Sequence, residues 1–382
     1  MSLLKNASLF LPEPIGPGSV LVEGSQIAAV YSIGEATPDV ETVDLRGAAL
    51  GPGLIDLHTH GADRVELMDG GDAAVRMAHF CVRHGVTGFV PATVTASFEA
   101  TEAAVAGARH AMAHPTGASR VLGVHLEGPF VSPQRLGAQS PEHCIPPSAD
   151  NVARLLQIAG DVARIVTLAP EEEGGIDAIH AFIARGIVVS LGHTVASDAQ
   201  ATAAFAAGAR QVTHLFNGMQ PLHHRTPGMV GAALTTPGVM VEIIADGVHL
   251  DPMAIRLALA AKGIDEILLI TDAISAAGCE DGEYVLGPMK VHVRNGEARL
   301  ESGNLAGSTL TLERAVVNVA RWTHAGLGGA WQMASLNPAR QLGIDGHVGR
   351  IAVGYDADLT ALDAAGRVVL TMIGGEVVYT AQ

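Results

Sequence analysis

Between residues 51 and 345 the chain alternates short, almost wholly apolar runs of strand length with longer Ala-rich stretches carrying small apolar residues at helical spacing. The runs are Leu54 to His60, Val86 to Thr93, Val121 to Glu127, Arg164 to Ala169, Ile187 to His193, Gln211 to Leu215, Val241 to Asp246 and Ile267 to Asp272. Helices are expected at Thr101 to Ala113, Asn151 to Ala159, Ile176 to Arg185, Asp198 to Ala207 and Pro252 to Ala261. Strands and helices in alternation are the pattern of βα units around a parallel sheet, and eight of them predict an α/β fold, a (β/α)8 TIM-like barrel.

The two ends of the chain break this pattern. SVLVEGSQIAAVYSIG and ETVDLRGAALGPG, within the first fifty residues, are short β-branched runs punctuated by Gly and Pro, and GRIAVGYDADLTALDAAGRVVLTMIGGEVVYT near the other end reads the same way. The expectation is a small β-sandwich domain built from both termini, residues 1–50 and 346–382, beside a barrel domain of residues 51–345. An irregular stretch from Ser275 to Gly307 contains a hairpin pattern placed to cap the barrel mouth, and LGGAW at Leu327 to Trp331 reads as a turn.

Composition narrows the function. Of 382 residues 48% are hydrophobic and 16% charged, enough apolar material for a large core and too much for a disordered chain. Aromatic residues are only 4% and the net charge is −16, from 23 Lys and Arg against 39 Asp and Glu, which argues against nucleic-acid and anionic-membrane partners. An anionic small substrate then needs a local cluster of positive charge. The three cysteines, Cys81, Cys144 and Cys279, are far apart with no CxxC, so neither a disulfide framework nor a thiolate metal site is indicated; Cys144 reads as an incidental thiol. With no signal-peptide pattern and no apolar stretch of ~18 residues, the expectation is a soluble, cytoplasmic protein.

The chemistry collects where barrel enzymes carry theirs, at the C-terminal ends of strands. Six of the eight runs end on or beside His, Glu or Asp: His58 and His60, Glu127, His193, His214, Asp246 with His249 beyond, and Asp272. His58 and His60 are two apart on a strand and share a face, the geometry for chelating one ion. Glu127 ends the third run, where a carboxylate inside an apolar barrel is costly unless paired or bound to metal; the alternative is a capping or salt-bridge carboxylate. His125 shares its face and competes as a ligand, but Glu127 lies nearer the strand's C-terminal end and is preferred, with His125 taken as an interior residue or one supporting the ligands. Glu127, His193 and His214 match the first shell of a catalytic zinc, which lowers the pKa of water from ~15.7 to roughly 7. Asp272 is placed to take a proton from that water and deliver it to a leaving amine, the alternative being a helix cap. His249 supports the site from behind or hydrogen-bonds to the substrate carbonyl and its oxyanion.

PGLIDLHTHG, HLEGPF, GHTVA, THLFNGM, HHRTPG, DGVH, TDAI, LAGSTLTL and GRIAVGYDADL together resemble the N-acetylglucosamine-6-phosphate deacetylase family of the amidohydrolase superfamily, from end to end of the chain. The resemblance implies Glu127, His193 and His214 as metal ligands and Asp272 as general acid/base. It implies substrate contacts at Asn217, Gly218, Arg225, His249 and the main chain around Ala138, Gln139, Leu305, Ala306 and Gly307. It also implies a homodimer in which Arg225 and a nearby His, His223 or His224, reach the partner's active site. Arg225 is chemically suited to gripping a phosphate with two parallel hydrogen bonds. His58 and His60 are both kept, which favours a capacity for two ions; zinc is expected first, with iron, cobalt or manganese suited to the same donors. The substrate implied is an amino-sugar phosphate, the reaction hydrolysis of its acetamide. Sequence alone does not separate the glucosamine from the galactosamine epimer. A non-catalytic scaffold is disfavoured because the ligand set is complete.

Overall fold

The computed structural model describes residues 1–10 and 14–381. Its centre is α/β. Eight parallel strands follow one another along the chain: Leu54–Thr59, Val86–Pro91, Val124–Glu127, Ala163–Leu168, Val188–Leu191, Gln211–Val212, Met240–Ile244 and Ile267–Ile270. The first two pair with each other, and the third to eighth form one six-stranded sheet in chain order. Single parallel bridges, Ala92 with His125 and Thr59 with Ala273, connect the second strand to the third and the eighth to the first. The hydrogen bonds there are Thr93 N–H to His125 O at 2.9 Å, Asp272 N–H to His58 O at 2.8 Å and His60 N–H to Ala273 O at 2.7 Å.

Helices run between these strands, and their starts are written in the sequence. Ser97, Ser148 and Ser197 each accept the N–H three residues on, at the heads of Phe98–Ala113, Ala149–Ala159 and Asp198–Ala206, satisfying donors that a helix leaves free. Asp251 caps Pro252–Lys262, where Pro252 takes the first helical position without losing a hydrogen bond. The apolar faces of strands and helices close on one large core that includes Phe89, Phe130, Phe182 and Trp331.

Some boundaries differ from expectation. The third run is two strands, Arg120–Val121 beside the second strand and Val124–Glu127 beside the fourth, broken at Gly123. There φ is +144°, and an added Cβ would lie 2.6 Å from Val162 O. LGGAW is not a turn but the body of helix Gly326–Met333. Its glycines lower helix propensity, but Trp331 is fully buried against Gly51 and donates from Nε1 to Pro52 O at 2.8 Å, so packing overrides the local preference. Sequence reading also passed over the helices Ala73–Arg83, Gly228–Thr235, Leu312–Trp322 and Leu336–Gln341.

The chain ends do meet. Leu359–Leu362 pairs antiparallel with Ala49–Pro52, joining Leu359–Leu362, Val368–Ile373 and Glu376–Thr380 to five N-terminal strands in one eight-stranded sheet with its own core around Leu4, Leu50, Leu359 and Met372. The expected hairpin is three strands, Gly282–Leu286, Met289–Arg294 and Glu297–Leu300, packed on Val94, Ile274 and Ala306. Among the described residues no helix is long and apolar enough to cross a membrane.

Candidate active site

At the C-terminal ends of the parallel strands the backbone turns sharply. His193, His214 and Asp272 all lie just past a strand end with φ of +48°, +30° and +48°, a region that residues other than Gly seldom occupy. Such turns aim the three side chains inward, and conformations of this cost persist mainly where function requires them.

The side chains converge on Glu127, which is 1% exposed. Its Oε1 stands 3.2 Å from both His193 Nε2 and His214 Nε2 and 3.6 Å from His58 Nε2. Its Oε2 lies 3.4 Å from His60 Nε2 and accepts from Gln139 Nε2 at 2.5 Å. Asp272 Oδ1 is 3.1 Å from His60 Nε2 and 3.6 Å from His58 Nε2.

The other ring nitrogens are held from outside. His193 Nδ1 donates to Arg135 O at 2.9 Å, His214 Nδ1 to Asn217 O at 3.1 Å and His60 Nδ1 to Ala92 O at 3.2 Å. A carbonyl can only accept, so Nδ1 carries the proton and Nε2 is left facing the cluster.

Three groups of three thereby form, Glu127 with His193 and His214, His58 with His60 and Asp272, and, one level deeper, His58 with His125 and Glu242, the ligand atoms of each lying within 4.8 Å of one another. Nε2 atoms 3.1 Å apart at His193 and His214, and 3.3 Å apart at His58 and His60, cannot face each other as bare lone pairs. A cation must sit among them, either protons or a metal ion, and this donor set fits a divalent ion.

Protons take that role in the metal-free chain. Burial opposes charge on His60, but hydrogen bonds to Asp272 and Glu127 outweigh it and push its pKa up to about 10. His214 rises to about 9 against the same burial penalty, chiefly through Glu127. Burial would raise Asp272, yet His58 and His60 hold it at about 2, and Glu127 is held well below the usual carboxylate range by the surrounding imidazoles. An ion on Glu127, His193 and His214 should therefore expel about one proton at pH 7, from His214, and a second ion beside His60 at least one more. Calorimetry of metal binding in buffers of different ionisation enthalpy reads this number, and binding without proton release would show that the imidazoles were already neutral. The same raised values stabilise the metal-free fold fully below about pH 6.5, with the contribution lost as pH rises through about 9 to 10.

A cavity of about 600 Å³ opens over the cluster, lined by His60, Glu127, His193, His214, His249 and Asp272 together with Ala138, Gln139, Asn217, Gly218, Leu305 and Gly307. A larger cavity of about 940 Å³, beside Phe10, Arg46 and Gly366, is lined by no histidine. His249 Nδ1 donates to Asp246 Oδ2 at 2.7 Å, which leaves Nε2 as its free ring nitrogen.

Three expected residues stand elsewhere. Arg225 and His224 lie on an exposed loop, Nη1 to Nε2 at 2.8 Å, and do not line this cavity within one chain. Ala306 is buried in the apolar cluster beneath the three-stranded sheet, where its neighbours Leu305 and Gly307 reach the cavity and it does not. His125, which does not line the cavity, packs against His58 with ring centroids 4.4 Å apart and has Nε2 2.7 Å from Thr167 Oγ1; burial lowers its pKa to about 3, so its ring is neutral.

Sequence reading missed the side-chain role of Gln139, which bridges Thr95 N–H, at 2.6 Å, to Glu127. It also missed two interior carboxylates, Asp56, which accepts from Thr271 Oγ1 at 2.6 Å, and Glu242. Their signal was available: each is a lone acid inside an otherwise apolar strand, Asp56 in LIDL and Glu242 in MVEII.

The sequence pattern of the amidohydrolase family matches residues 49–378. The chain belongs to the amidohydrolase family. As an amidohydrolase it acts on amide C–N bonds, and its relatives lie among the amino-sugar phosphate deacetylases. It is 38% identical over 360 residues, 94% of this chain and 90% of the relative, to the N-acetylglucosamine-6-phosphate deacetylase of Vibrio furnissii. It is 40% identical over 326 residues, 85% of this chain and 86% of the relative, to the N-acetylgalactosamine-6-phosphate deacetylase of Escherichia coli O157:H7. Among solved structures, a mutant N-acetyl-D-glucosamine-6-phosphate deacetylase from Mycobacterium smegmatis, in complex with N-acetyl-D-glucosamine-6-phosphate, superposes on the amidohydrolase with a TM-score of 0.92 at 34% identity, covering 99% of each chain.

Proposed function

We propose that this amidohydrolase removes the acetyl group from N-acetyl-D-glucosamine 6-phosphate, giving D-glucosamine 6-phosphate and acetate, in amino-sugar and cell-wall recycling. The observation that carries the proposal is the Asp272 carboxylate standing over the same cavity as Glu127, His193 and His214, in a chain akin to deacetylases of this substrate.

A divalent ion on Glu127, His193 and His214, zinc before iron, cobalt or manganese, supplies Lewis acidity that lowers the pKa of water and polarises a carbonyl. His58 and His60, with Asp272 beside them, give room for a second. Asp272 takes the proton of the attacking water as its oxygen bonds to the acetyl carbon. His249, braced by Asp246, stands at the carbonyl oxygen as negative charge develops there. As the C–N bond breaks, Asp272 passes the same proton to the sugar nitrogen, which leaves as an amine. Asn217, Gly218 and the main chain at Ala138, Gln139, Leu305 and Gly307 orient the sugar.

The eight parallel strands, with their two connecting bridges, are assigned as a (β/α)8 barrel of residues 51–345. The sheet shared by residues 1–50 and 346–382 is assigned as the small β-sandwich domain. Three unpaired cysteines accord with a reducing, cytoplasmic setting.

We infer a homodimer in which the exposed Arg225, with His224 beside it, reaches the partner's cavity and reads the phosphate. Arg225→Ala should then raise KM for the phosphorylated sugar at least about tenfold, the scale of one lost charge-assisted contact, and leave unphosphorylated N-acetylglucosamine nearly untouched. An equal rise for both sugars removes Arg225 from phosphate recognition.

The 40% identical Escherichia coli relative favours a second reading, the galactosamine epimer as substrate. Acetate release from both 6-phosphates and from the unphosphorylated sugar, by metal-quantified protein, decides between them. Selective turnover of the glucosamine phosphate supports the first reading, and no turnover of any of the three would overturn both.

A further inference from the structure

Strand Met240–Ile244 is unbroken apolar material except for Glu242, which has no exposed surface. A carboxylate so placed is costly unless donors hold its oxygens. Here they do: Oε2 accepts from His58 Nδ1 at 3.0 Å and from the main-chain N–H of His214 at 3.1 Å, and Oε1 accepts from Gln211 Nε2 at 2.5 Å. Gln211 is fixed in turn by Gln341, whose Nε2 donates to Gln211 Oε1 at 2.8 Å. Glu242 itself falls in a group with His58 and His125, but both its oxygens are taken by these donors, and it thus grips a ring from one cavity-facing ligand group and a peptide N–H from the other.

Each grip has a consequence for metal binding. Accepting from His58 Nδ1 places that ring's proton away from the cluster and leaves Nε2 as the donor atom; the opposite tautomer would aim an N–H at the ion. At His214 the charge-assisted bond holds the peptide where φ is +30°, the turn that swings the ring toward Glu127.

We propose that Glu242 is the positioning residue of the metal centre, fixing which nitrogen of His58 faces the ion and holding the turn that aims His214. This rests on His58 and His214 being metal ligands. A carboxylate that only filled the strand interior would matter for folding and leave the ion's surroundings unchanged.

Metal-free protein titrated with cobalt(II) separates the two roles, with visible absorption reporting the ion's ligand geometry and a competing chelator its affinity. Glu242→Gln keeps the size and removes the charge. It should bind cobalt about 10–100-fold more weakly and with a changed absorption band. Ser190→Ala, an interior hydroxyl that contacts Thr213 at 2.6 Å, should match the wild type in both. Wild-type affinity and spectrum in folded Glu242→Gln overturn the proposal while leaving the ligand assignment intact. If wild-type protein takes up no cobalt, the ligand assignment itself fails. Should Glu242→Gln not fold, Glu242→Asp, one methylene too short to span both donors, carries the same titration with the same criteria.

Discussion

Asp272→Asn keeps the fold and the ion on Glu127, His193 and His214, and loses about 10²–10⁴-fold in kcat for acetate release. The fold is expected to survive because Asn tolerates the left-handed φ of +48° as well as Asp does. The main-chain bonds of residue 272, donating to His58 O at 2.8 Å and accepting from Ser308 N–H at 2.7 Å, do not involve the side chain. What goes is the carboxylate oxygen assigned to take a proton from water and return it to the amine. The low pKa of about 2 belongs to the metal-free cluster, where His58 and His60 supply the charge that depresses it. Turnover near wild type, with metal content confirmed, would remove Asp272 from the chemistry.

Glu127→Gln should bring the enzyme down to the same floor that exhaustive chelation reaches in the wild type. Glu127 faces four imidazole Nε2 atoms within 3.6 Å, and an amide there supplies neither the charge nor a second accepting oxygen. Metal should be nearly absent from the purified variant. Re-addition of divalent ion should restore the chelated wild type, since such an ion would lower the pKa of water from ~15.7 to roughly 7, and the variant should not recover because it cannot hold the ion. A variant with wild-type metal content, or with activity above the chelated floor, would contradict the assignment of Glu127 as a ligand. Thermal melting of the variant should resemble that of the metal-free wild type, which separates loss of ion from loss of fold.

Parallel strands ending on His, Glu and Asp were legible because burial on both faces writes continuous apolar runs and the polar residues interrupt them at the ends. The meeting of the chain termini was legible from their shared Gly-punctuated β pattern. Boundaries were less so: His193, His214 and Asp272 read as strand ends, yet each lies two residues beyond its strand, since left-handed turns leave no mark in residue type at these positions. Gly326–Met333 was hidden by its glycines, whose value lies in how closely Gly329 approaches Ile264, a contact between segments far apart in sequence. Glu242 stands mid-strand, one level below the polar residues at the strand ends, where a single acid in an apolar run gives no spacing pattern to read. Arg225 was singled out for its chemistry, and within one chain its position on an exposed loop leaves that chemistry without a target.

The three left-handed residues at the strand ends carry a backbone cost that their side chains offset. A glycine in place of His193, His214 or Asp272 would meet no Cβ penalty, relieving on the order of 1 kcal/mol at each turn. Losing either histidine would also leave the buried Glu127 carboxylate short of a partner, a cost of roughly 3–5 kcal/mol. Heat resistance and the ion site therefore stand or fall together at the two histidines, and a library of variants ranked by melting temperature would keep both rings with no screen for acetate release.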